Sequence, residues 1–263
     1  MGKNSIYAEP RDIKALDQCV FYHTIDLPGY GTMAGNWDLR QNVDNYLGSV
    51  DFTGKKVLEI GPANGFLSFA MEKKGAEVIS FDLSNDYDWD IIPFAQYDYR
   101  QYLENRKQVI DKLNNAYWLS HRVLNSRAKV IYGNVYQLPD EIGEVDIVTY
   151  GAILLHLRDP FLALQGGLRF ARETVIITEP LRIQPVQTSE PYMKFLPDAK
   201  TVEPKDAWWD LRPELIIRMI GVLGFEDTRL TTHNYMRMGK PAAMYTVVGR
   251  RTINQRDILG NPG

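Results

Sequence analysis

The sequence predicts an α/β fold with a Rossmann-like mixed sheet, and three observations support this prediction. Short apolar runs of buried-strand type recur along the chain, with amphipathic segments between them. A glycine turn, Gly61 to Gly65, follows the first run and precedes a helical segment. Asp82 stands directly after the second run. An acid at this place can accept hydrogen bonds from both hydroxyls of a ribose, so we expect a nucleoside-bearing cofactor.

Seven strands are predicted, in a sheet with helices on both faces. They cover residues 57–60, 77–81, 129–132, 145–150, 174–179, 225–231 and 243–249. The last two flank the loop at 238–241 and are expected to pair as an antiparallel hairpin. Helices are predicted at residues 66–74 and 213–224, and from Pro160 after an N-cap at Asp159.

Three segments of the chain are not required to form the strands and helices of such a sheet. Residues 1–50 form a predicted N-terminal extension or lid, and residues 51–263 form the main domain. Within that domain, residues 84–128 and 180–212 are insertions that leave the sheet at its carboxyl edge. Ligands of open α/β sheets bind at this edge, so we expect the insertions to form the substrate walls. The first insertion contains a predicted helix at residues 102–125.

Length and composition fit a single α/β domain with additions. The chain has 263 residues, 44% of them hydrophobic, and a net charge of −3. That charge gives no electrostatic case for nucleic acid or an anionic membrane. The single Cys19 excludes an intramolecular disulfide and a cysteine-cluster zinc site. No apolar run reaches transmembrane length, so we expect a cytoplasmic protein without a membrane partner. The oligomeric state is not predicted.

The glycine turn differs from a dinucleotide fingerprint. That fingerprint requires the spacing G-x-G-x-x-G, whereas here the middle position is Ala63 and the last is Phe66. Glu59 also places a negative charge where a pyrophosphate would be repelled and a cationic amino-acid moiety would be attracted. The pattern resembles motif I of the class I S-adenosylmethionine (SAM) methyltransferases, with the middle glycine replaced by alanine. The resemblance implies SAM as the cofactor.

A narrower resemblance rests on segments outside this motif. They are Asp26-Leu27-Pro28, residues 35–40 (GNWDLR), residues 151–160 (GAILLHLRDP), Trp208-Trp209 with Pro213, and Gly224-Phe225. In this order and spacing, across residues 22–231, they resemble the tRNA wobble-uridine carboxymethyltransferase family and its uncharacterised relatives. The resemblance implies a class I methyltransferase fold and a SAM-type cofactor, and it leaves the substrate open.

Two departures from that family bear on the group that is transferred. The family carries a tyrosine immediately before the histidine of the 151–160 segment, which helps hold the extra carboxylate of carboxy-SAM, and this chain has Leu155 there. Residues 24–36 contain no lysine or arginine, so the family's basic segment is also missing. A carboxylate is costly to bury without a cationic or hydroxyl partner. We therefore predict ordinary SAM as the donor.

The predicted function is SAM-dependent methyl transfer, most readily O-methylation of a small-molecule acceptor. The alternative is a tRNA wobble-uridine modifying (carboxy)methyltransferase, which should show a basic face and salt-dependent binding. A third interpretation, a SAM-sensing module without activity, is disfavoured by the polar residues expected around the methyl site.

The expected cofactor residues lie at the carboxyl ends of the first four strands. They are Glu59, Gly61, Pro62, Ala63, Asn64, Gly65, Asp82, Leu83, Asn134, Val135 and Gly151. In the methyltransferases that this chain resembles, a polar residue at the place of Asn134 commonly contacts the adenine amino group, and an amide offers both an acceptor and a donor. The competing interpretation is an asparagine that only stabilises a turn.

His156 is the leading catalytic candidate, because it follows the fourth strand and an imidazole titrates near neutrality. It could instead pack the loop before Asp159. His23 and His233 are both possible partners of His156. Glu179 and Asp38 are further catalytic candidates, although Glu179 could cap the following turn before Pro180 and Asp38 could form a simple ion pair with Arg40.

The predicted substrate-binding residues are His23, Trp37, Arg40, Trp208 and Trp209. Their aromatic rings could stack on a planar acceptor, and core packing explains some of them equally well. Asp38, His156 and Glu179 could in principle bind a metal, but their spacing is not diagnostic, and no metal is predicted.

Overall fold

The computed structural model describes residues 5–87, 89–182 and 190–253, and the predicted wall residues 183–189 lie outside them. The strands are β1 (Ile25–Leu27), β2 (Gly31–Met33), β3 (Trp37–Asp38), β4 (Lys56–Ile60), β5 (Glu77–Asp82), β6 (Lys129–Tyr132), β7 (Val145–Gly151), β8 (Ala171–Pro180), β9 (Met193–Phe195), β10 (Trp209–Leu211), β11 (Asp227–Arg237) and β12 (Lys240–Arg250). The α-helices are α1 (Val43–Tyr46), α2 (Phe66–Lys73), α3 (Arg100–Val123), α4 (Pro160–Leu168) and α5 (Pro213–Val222).

The main sheet has eight strands in the order β3-β11-β12-β8-β7-β4-β5-β6. Strands β4 to β8 pair in parallel, and β11 and β12 form the predicted antiparallel hairpin. This confirms the predicted Rossmann-like mixed sheet. The eighth strand, β3, comes from the N-terminal extension and pairs with the end of β11. Strand β3 has only two residues, which is too short for the alternating pattern by which a strand is predicted from sequence.

The strand order reverses beside β4. Strands β5 and β6 lie on one side of β4, and β7 and β8 lie on the other. The switch point therefore falls between Ile60, the last residue of β4, and Gly151, the last residue of β7. Open α/β sheets bind ligands beyond the carboxyl ends of the strands at such a point.

The helix boundaries follow the local sequence signals. Gly65 takes a left-handed conformation (φ +83°) immediately before α2. The Asp159 carboxylate accepts the N–H of Leu162 at 2.9 Å and Pro160 is the first residue of α4, as the capping signals predict. The inserted helix α3 starts two residues earlier than its prediction, within the usual uncertainty of helix ends.

The two insertions pack against each other. Ile92 donates its N–H to the Lys205 carbonyl at 3.0 Å, and the Trp208 indole donates to the Asp90 carbonyl at 3.1 Å. A small apolar cluster of Ile92, Phe94 and Trp208 joins them. The Trp208 N–H also bonds to the Leu155 carbonyl at 2.8 Å, which fixes this unit beside the loop after β7.

None of the helices in the described residues is long and apolar enough to cross a membrane.

Candidate active site

The turn after β4 needs unusual backbone conformations. Gly61 has φ +77°, and a Cβ there would lie 3.0 Å from the Ile153 side chain. Ala63 also takes a left-handed conformation, with φ +53°. Glycine adopts this region without steric cost, whereas alanine carries a modest penalty. The conformation explains why a glycine is expected at position 63, and alanine is small enough to replace it.

Asp82 joins the end of β5 to this turn. Its Oδ1 accepts the N–H of Leu83 at 2.8 Å, and its Oδ2 accepts the N–H of Ala63 at 3.2 Å. Burial raises the pKa of Asp82 to about 7, although both hydrogen bonds oppose the shift. The acid is thereby fixed at the carboxyl edge of the sheet, against the glycine turn.

Glu59 lies beneath the turn in a chain of buried hydroxyl groups. One carboxylate oxygen accepts from the Ser68 hydroxyl, which lies 3.0 Å from the Ser80 hydroxyl, and that group lies 2.9 Å from the Tyr117 hydroxyl. Its other oxygen is buried without a hydrogen-bond partner among the described residues. Burial raises the pKa of Glu59 to about 8. The sequence analysis did not identify this hydroxyl chain, because serines on a helix and a strand carry no motif.

A cavity of about 70 Å³ opens beyond the ends of β4, β5 and β6. Five predicted cofactor residues line it: Gly61, Asp82, Leu83, Asn134 and Val135. Trp89, Asp90, Tyr136, Ile153 and Leu157 also line it and were not predicted. Asn134 accepts the N–H of Tyr136 at 2.9 Å, so it both stabilises a turn and faces the cavity. The other predicted residues of the turn, Pro62 to Gly65, are not among the lining residues.

The Asn64 side chain has a different partner from the predicted cofactor. Its Oδ1 accepts the N–H groups of Tyr22 (3.1 Å) and His23 (2.7 Å), and its Nδ2 donates to the His23 carbonyl (3.1 Å). All three bonds connect the glycine turn to the N-terminal extension. The side chain is fully buried, and these backbone groups take three of the four hydrogen bonds that it can form.

His23, predicted as a substrate-binding residue, therefore lies beside the glycine turn. Its ring packs against Tyr22 and Phe66, at centroid distances of 5.0 and 6.1 Å. Burial lowers the pKa of His23 to about 3, so the ring is neutral. Its Nδ1 is buried without a partner among the described residues.

Glu179, at the carboxyl end of β8, holds the turn that contains His156. One carboxylate oxygen accepts the Leu154 N–H at 2.8 Å, and the other has no partner among the described residues. Burial raises the pKa of Glu179 to about 8, against hydrogen bonds from the N–H groups of the turn. Glu179 thus caps the turn after β7, which differs from the turn before Pro180 that the sequence suggested, and one of its oxygens has no partner among the described residues.

His156 hydrogen-bonds through Nδ1 to the main-chain carbonyl of Asp206. A carbonyl only accepts, so Nδ1 carries the proton and Nε2 keeps its lone pair. Burial lowers the pKa of His156, and Arg106 and Arg237 add to this effect. The ring is therefore a neutral base with a fixed tautomer. His233 lies on β11, where its Nε2 is 2.7 Å from the hydroxyl of Thr246 on the neighbouring strand β12.

Arg106 extends this wall from α3 and was not predicted. It pairs with the Asp206 carboxylate at 3.1 Å and stacks on Trp89 at 3.8 Å from the ring centroid. Trp208 is buried, and the Trp209 indole donates to the Leu157 carbonyl at 3.1 Å. Both tryptophans therefore position the second insertion, which favours the packing interpretation over stacking on a substrate.

Asp38 and Arg40 lie at the far edge of the sheet. Arg40 contacts Asp38 at 2.7 Å and Asp26 at 2.8 Å in a partly exposed cluster. The hydrogen bonds from Arg40 lower the pKa of Asp38, the opposite of what a base needs. Trp37 is buried and donates to the Tyr22 hydroxyl at 3.1 Å. The structure thus favours the ion-pair and core interpretations over catalytic and substrate-binding roles.

Among the described residues, no group of three or more His, Cys, Asp or Glu side chains is arranged to hold a metal ion. Asp38, His156 and Glu179 do not form such a group.

Solved structures with a similar fold are SAM-dependent methyltransferases or their relatives. The N-terminal domain of EvdMO1, crystallised in the presence of S-adenosylhomocysteine (SAH) and D-fucose, is 15% identical (TM-score 0.52, covering 90% of this chain and 92% of that one). Magnesium protoporphyrin IX methyltransferase from Synechocystis PCC 6803, with bound SAH, is 14% identical (TM-score 0.51, covering 81% and 82%). An O-methyltransferase family protein from Burkholderia thailandensis is 11% identical (TM-score 0.51, covering 81% and 56%).

No protein-family profile and no curated protein sequence matches the chain. At these identities the structural matches establish the fold alone. The chain has the fold of the class I SAM-dependent methyltransferases.

Proposed function

We propose that this protein is a SAM-dependent methyltransferase that methylates a hydroxyl group of a small molecule. The observation that carries the proposal is the bond between the Ala63 N–H and the Asp82 carboxylate at the switch point. This bond brings the glycine turn and the ribose-binding acid together next to a cavity that also contacts Asn134.

The residues at this edge fit SAM. Asp82 would accept the ribose hydroxyls, and Asn134 would contact the adenine. Buried polar groups in native proteins are nearly always paired, so the partnerless oxygens of Glu59 and Glu179 indicate missing ligand atoms. Both are acceptors, and the aminoalkyl sulfonium part of SAM is cationic. NAD carries an anionic pyrophosphate, which these two acidic side chains would not favour, least of all above about pH 8, where they ionise.

The chain's own part in methyl transfer is alignment, water exclusion and proton removal. SAM supplies an activated methyl group, and the acceptor must approach it in line. His156 Nε2, oriented by the Asp206 carbonyl, would take the proton of the acceptor hydroxyl. Glu179 would position His156 by holding the Leu154 N–H. The two packed insertions would cover the reacting groups.

A small-molecule acceptor fits the charge distribution better than RNA. The net charge is −3, and Arg106 on the wall is already paired with Asp206. One protein of similar fold was crystallised with a sugar, and another is named for a porphyrin substrate. The resemblance to wobble-uridine enzymes keeps tRNA as the alternative acceptor.

The test is transfer of a labelled methyl group. Purified protein would be incubated with methyl-labelled SAM and either a small-molecule extract or bulk tRNA. We expect label in the small-molecule fraction, and the His156→Ala variant should remove it. Label in tRNA would favour the alternative, and a carboxymethylated product from carboxy-SAM would overturn the choice of donor.

A further inference from the structure

One residue, Asp206, contacts both the proposed base and an arginine of the first insertion. Its main-chain carbonyl accepts a hydrogen bond from His156 Nδ1, and its carboxylate pairs with one Nη atom of Arg106 at 3.1 Å. Arg106 also stacks on Trp89, which lines the cavity beyond β4, β5 and β6. The contacts of Arg106 thus connect the wall of the predicted cofactor cavity with the residue that orients the base.

These contacts leave the guanidinium of Arg106 incompletely paired. Its Nε is buried without a hydrogen-bond partner among the described residues. Burial lowers the pKa of Arg106, although the negative charge of Asp206 opposes the shift. A guanidinium nevertheless stays charged in proteins, and a charge that is removed from water needs partners for its N–H groups. The side chain is 29% exposed, so a ligand can approach it.

A second arginine adds positive charge around the base. Arg237 of β11 lies over the Trp37 ring, 5.4 Å from its centroid. Burial lowers the pKa of His156, the positive charges of Arg106 and Arg237 add to this shift, and the negative charge of Asp206 opposes it. Two arginines and one aspartate therefore give the surroundings of His156 a positive balance, although the whole chain has a net charge of −3.

We propose that Arg106 binds a carboxylate or phosphate group of the acceptor, so that the substrate of this site is a small anionic hydroxy compound. This inference rests on the proposed function. Arg106 and His156 contact the same residue, so the anionic group and the hydroxyl that loses its proton must lie close together on the acceptor. A guanidinium presents neighbouring N–H groups whose geometry matches the oxygens of a carboxylate or phosphate. The anion would supply the partner that Arg106 Nε lacks.

A phosphate of a nucleic acid fits this arginine less well. Proteins that bind nucleic acids depend on several cations that contact the phosphate backbone along an accessible surface. Arg106 is instead largely buried, and it is held between Asp206 and the Trp89 ring. This position favours a small anion that enters the site.

The charge of the acceptor can be tested before the acceptor is identified. A small-molecule extract, freed of RNA, is separated on an anion exchanger at neutral pH. The retained fraction, the unretained fraction and bulk tRNA are each incubated with the protein and methyl-labelled SAM. We expect labelled product from the retained fraction alone. Label from the unretained fraction or in tRNA would overturn the inference and leave methyl transfer intact, and no label in any of the three would contradict the proposed function itself.

Two variants separate binding of the acceptor from support of the base. Arg106→Gln should raise the apparent KM for the retained fraction about 10-fold or more and change kcat less, because a charge-assisted contact is lost. Asp206→Asn removes the carboxylate that pairs with Arg106 and keeps the main-chain carbonyl that holds His156, so it should not raise this KM. If Arg106 served only to hold Asp206, the two variants would change KM and kcat alike, which would contradict the inference. The matched control is Arg100→Gln, on the same helix, which removes an exposed pair with Asp98 and should leave both constants unchanged.

Calorimetric titration of the donor distinguishes an anionic acceptor from an anionic group of the cofactor. Arg106→Gln should bind SAM and carboxy-SAM as the parent protein does. Weaker binding of SAM would assign Arg106 to the carboxylate of its amino-acid part, and weaker binding of carboxy-SAM alone would assign it to the extra carboxylate. Either result would overturn the inference. If the parent protein does not bind SAM, the proposed function fails.

Discussion

The backbone N–H of Ala63 donates to the carboxylate of Asp82 across 3.2 Å. This bond joins the left-handed turn after β4 to the acid that ends β5. It fixes the distance between the two groups that a nucleoside cofactor would contact, before any ligand binds.

Replacing His156 tests the proposed base. His156→Ala should lower turnover by about 10²–10⁴-fold and leave SAM affinity nearly unchanged, because the ring acts on the acceptor. The control is His121→Ala, which removes a ring bonded to the Ala128 carbonyl on the inserted helix. Steady-state kinetics and calorimetry measure the two quantities. Unchanged turnover with a lower melting temperature would show that His156 is structural.

The stability of the ligand-free protein should fall as pH rises from 6.5 to 9. Glu59 and Glu179 have pKa values raised to about 8 and Asp82 to about 7, so the folded state binds more protons than the unfolded state in this range. Their protonated forms favour folding, and that contribution is lost as they ionise. In thermal denaturation, the melting temperature of Glu59→Gln should fall less steeply with pH than that of the parent protein. The melting temperature of the exposed control Glu77→Gln should fall as steeply as that of the parent. A melting temperature that rises with pH would contradict the burial argument.

Below pH 6.5 the buried histidines act in the opposite sense. The pKa values of His23 and His233 are lowered to about 3 and about 4, so the unfolded state binds more protons as the pH falls. The contribution of these two histidines to stability should therefore decrease between pH 6.5 and 4, while the three buried acids, which stay protonated only in the folded state down to about pH 4.5, contribute in the opposite direction. His233→Gln should reduce that loss, as measured by thermal denaturation across the same buffers. If the stability of His233→Gln falls with pH as much as that of the parent protein, groups other than His233 cause the loss of stability.

Removing the Asn64 side chain should release the N-terminal extension from the glycine turn. Asn64→Ala loses three hydrogen bonds and leaves buried N–H groups unpaired, at a cost of about 2–4 kcal/mol. Hydrogen exchange should increase at Tyr22 and His23. Asn115→Ala, on the exposed side of α3, is the control and should leave exchange at these residues unchanged. Unaltered exchange in Asn64→Ala would show that other contacts hold the extension.

The sequence predicted the main sheet and one part of the site. The glycine turn, Asp82 and Asn134 could be found because local spacing determines their positions. Arg106 and the Ser68–Ser80–Tyr117 chain could not be found, because separate segments bring them together only after folding. Asn64 could not be interpreted from the sequence for the same reason. Its position in the motif suggests that it contacts a ligand, but its hydrogen-bond partners come from a segment that is distant in sequence.

Asp38 and Trp37 show a second reason why the sequence alone could not predict the whole site. Their resemblance to a family motif suggested a catalytic lid, but the exposed Asp26–Arg40–Asp38 cluster and the buried indole are structural features of the edge strand. A sequence motif records which residues occur together and does not distinguish binding from packing.

Calorimetric titration of SAM into the parent protein, Asp82→Ala and Asp146→Ala tests the central claim most directly. Asp146, at the amino end of β7, binds the Lys56 N–H and Arg172, so its loss should reduce stability alone. We predict that the parent binds SAM and not NAD, and that Asp82→Ala weakens SAM binding by about 1.5–3 kcal/mol, the cost of losing charge-assisted hydrogen bonds. Asp146→Ala should bind SAM as the parent does. If Asp82→Ala binds SAM as tightly as the parent protein, the assignment of this site is contradicted.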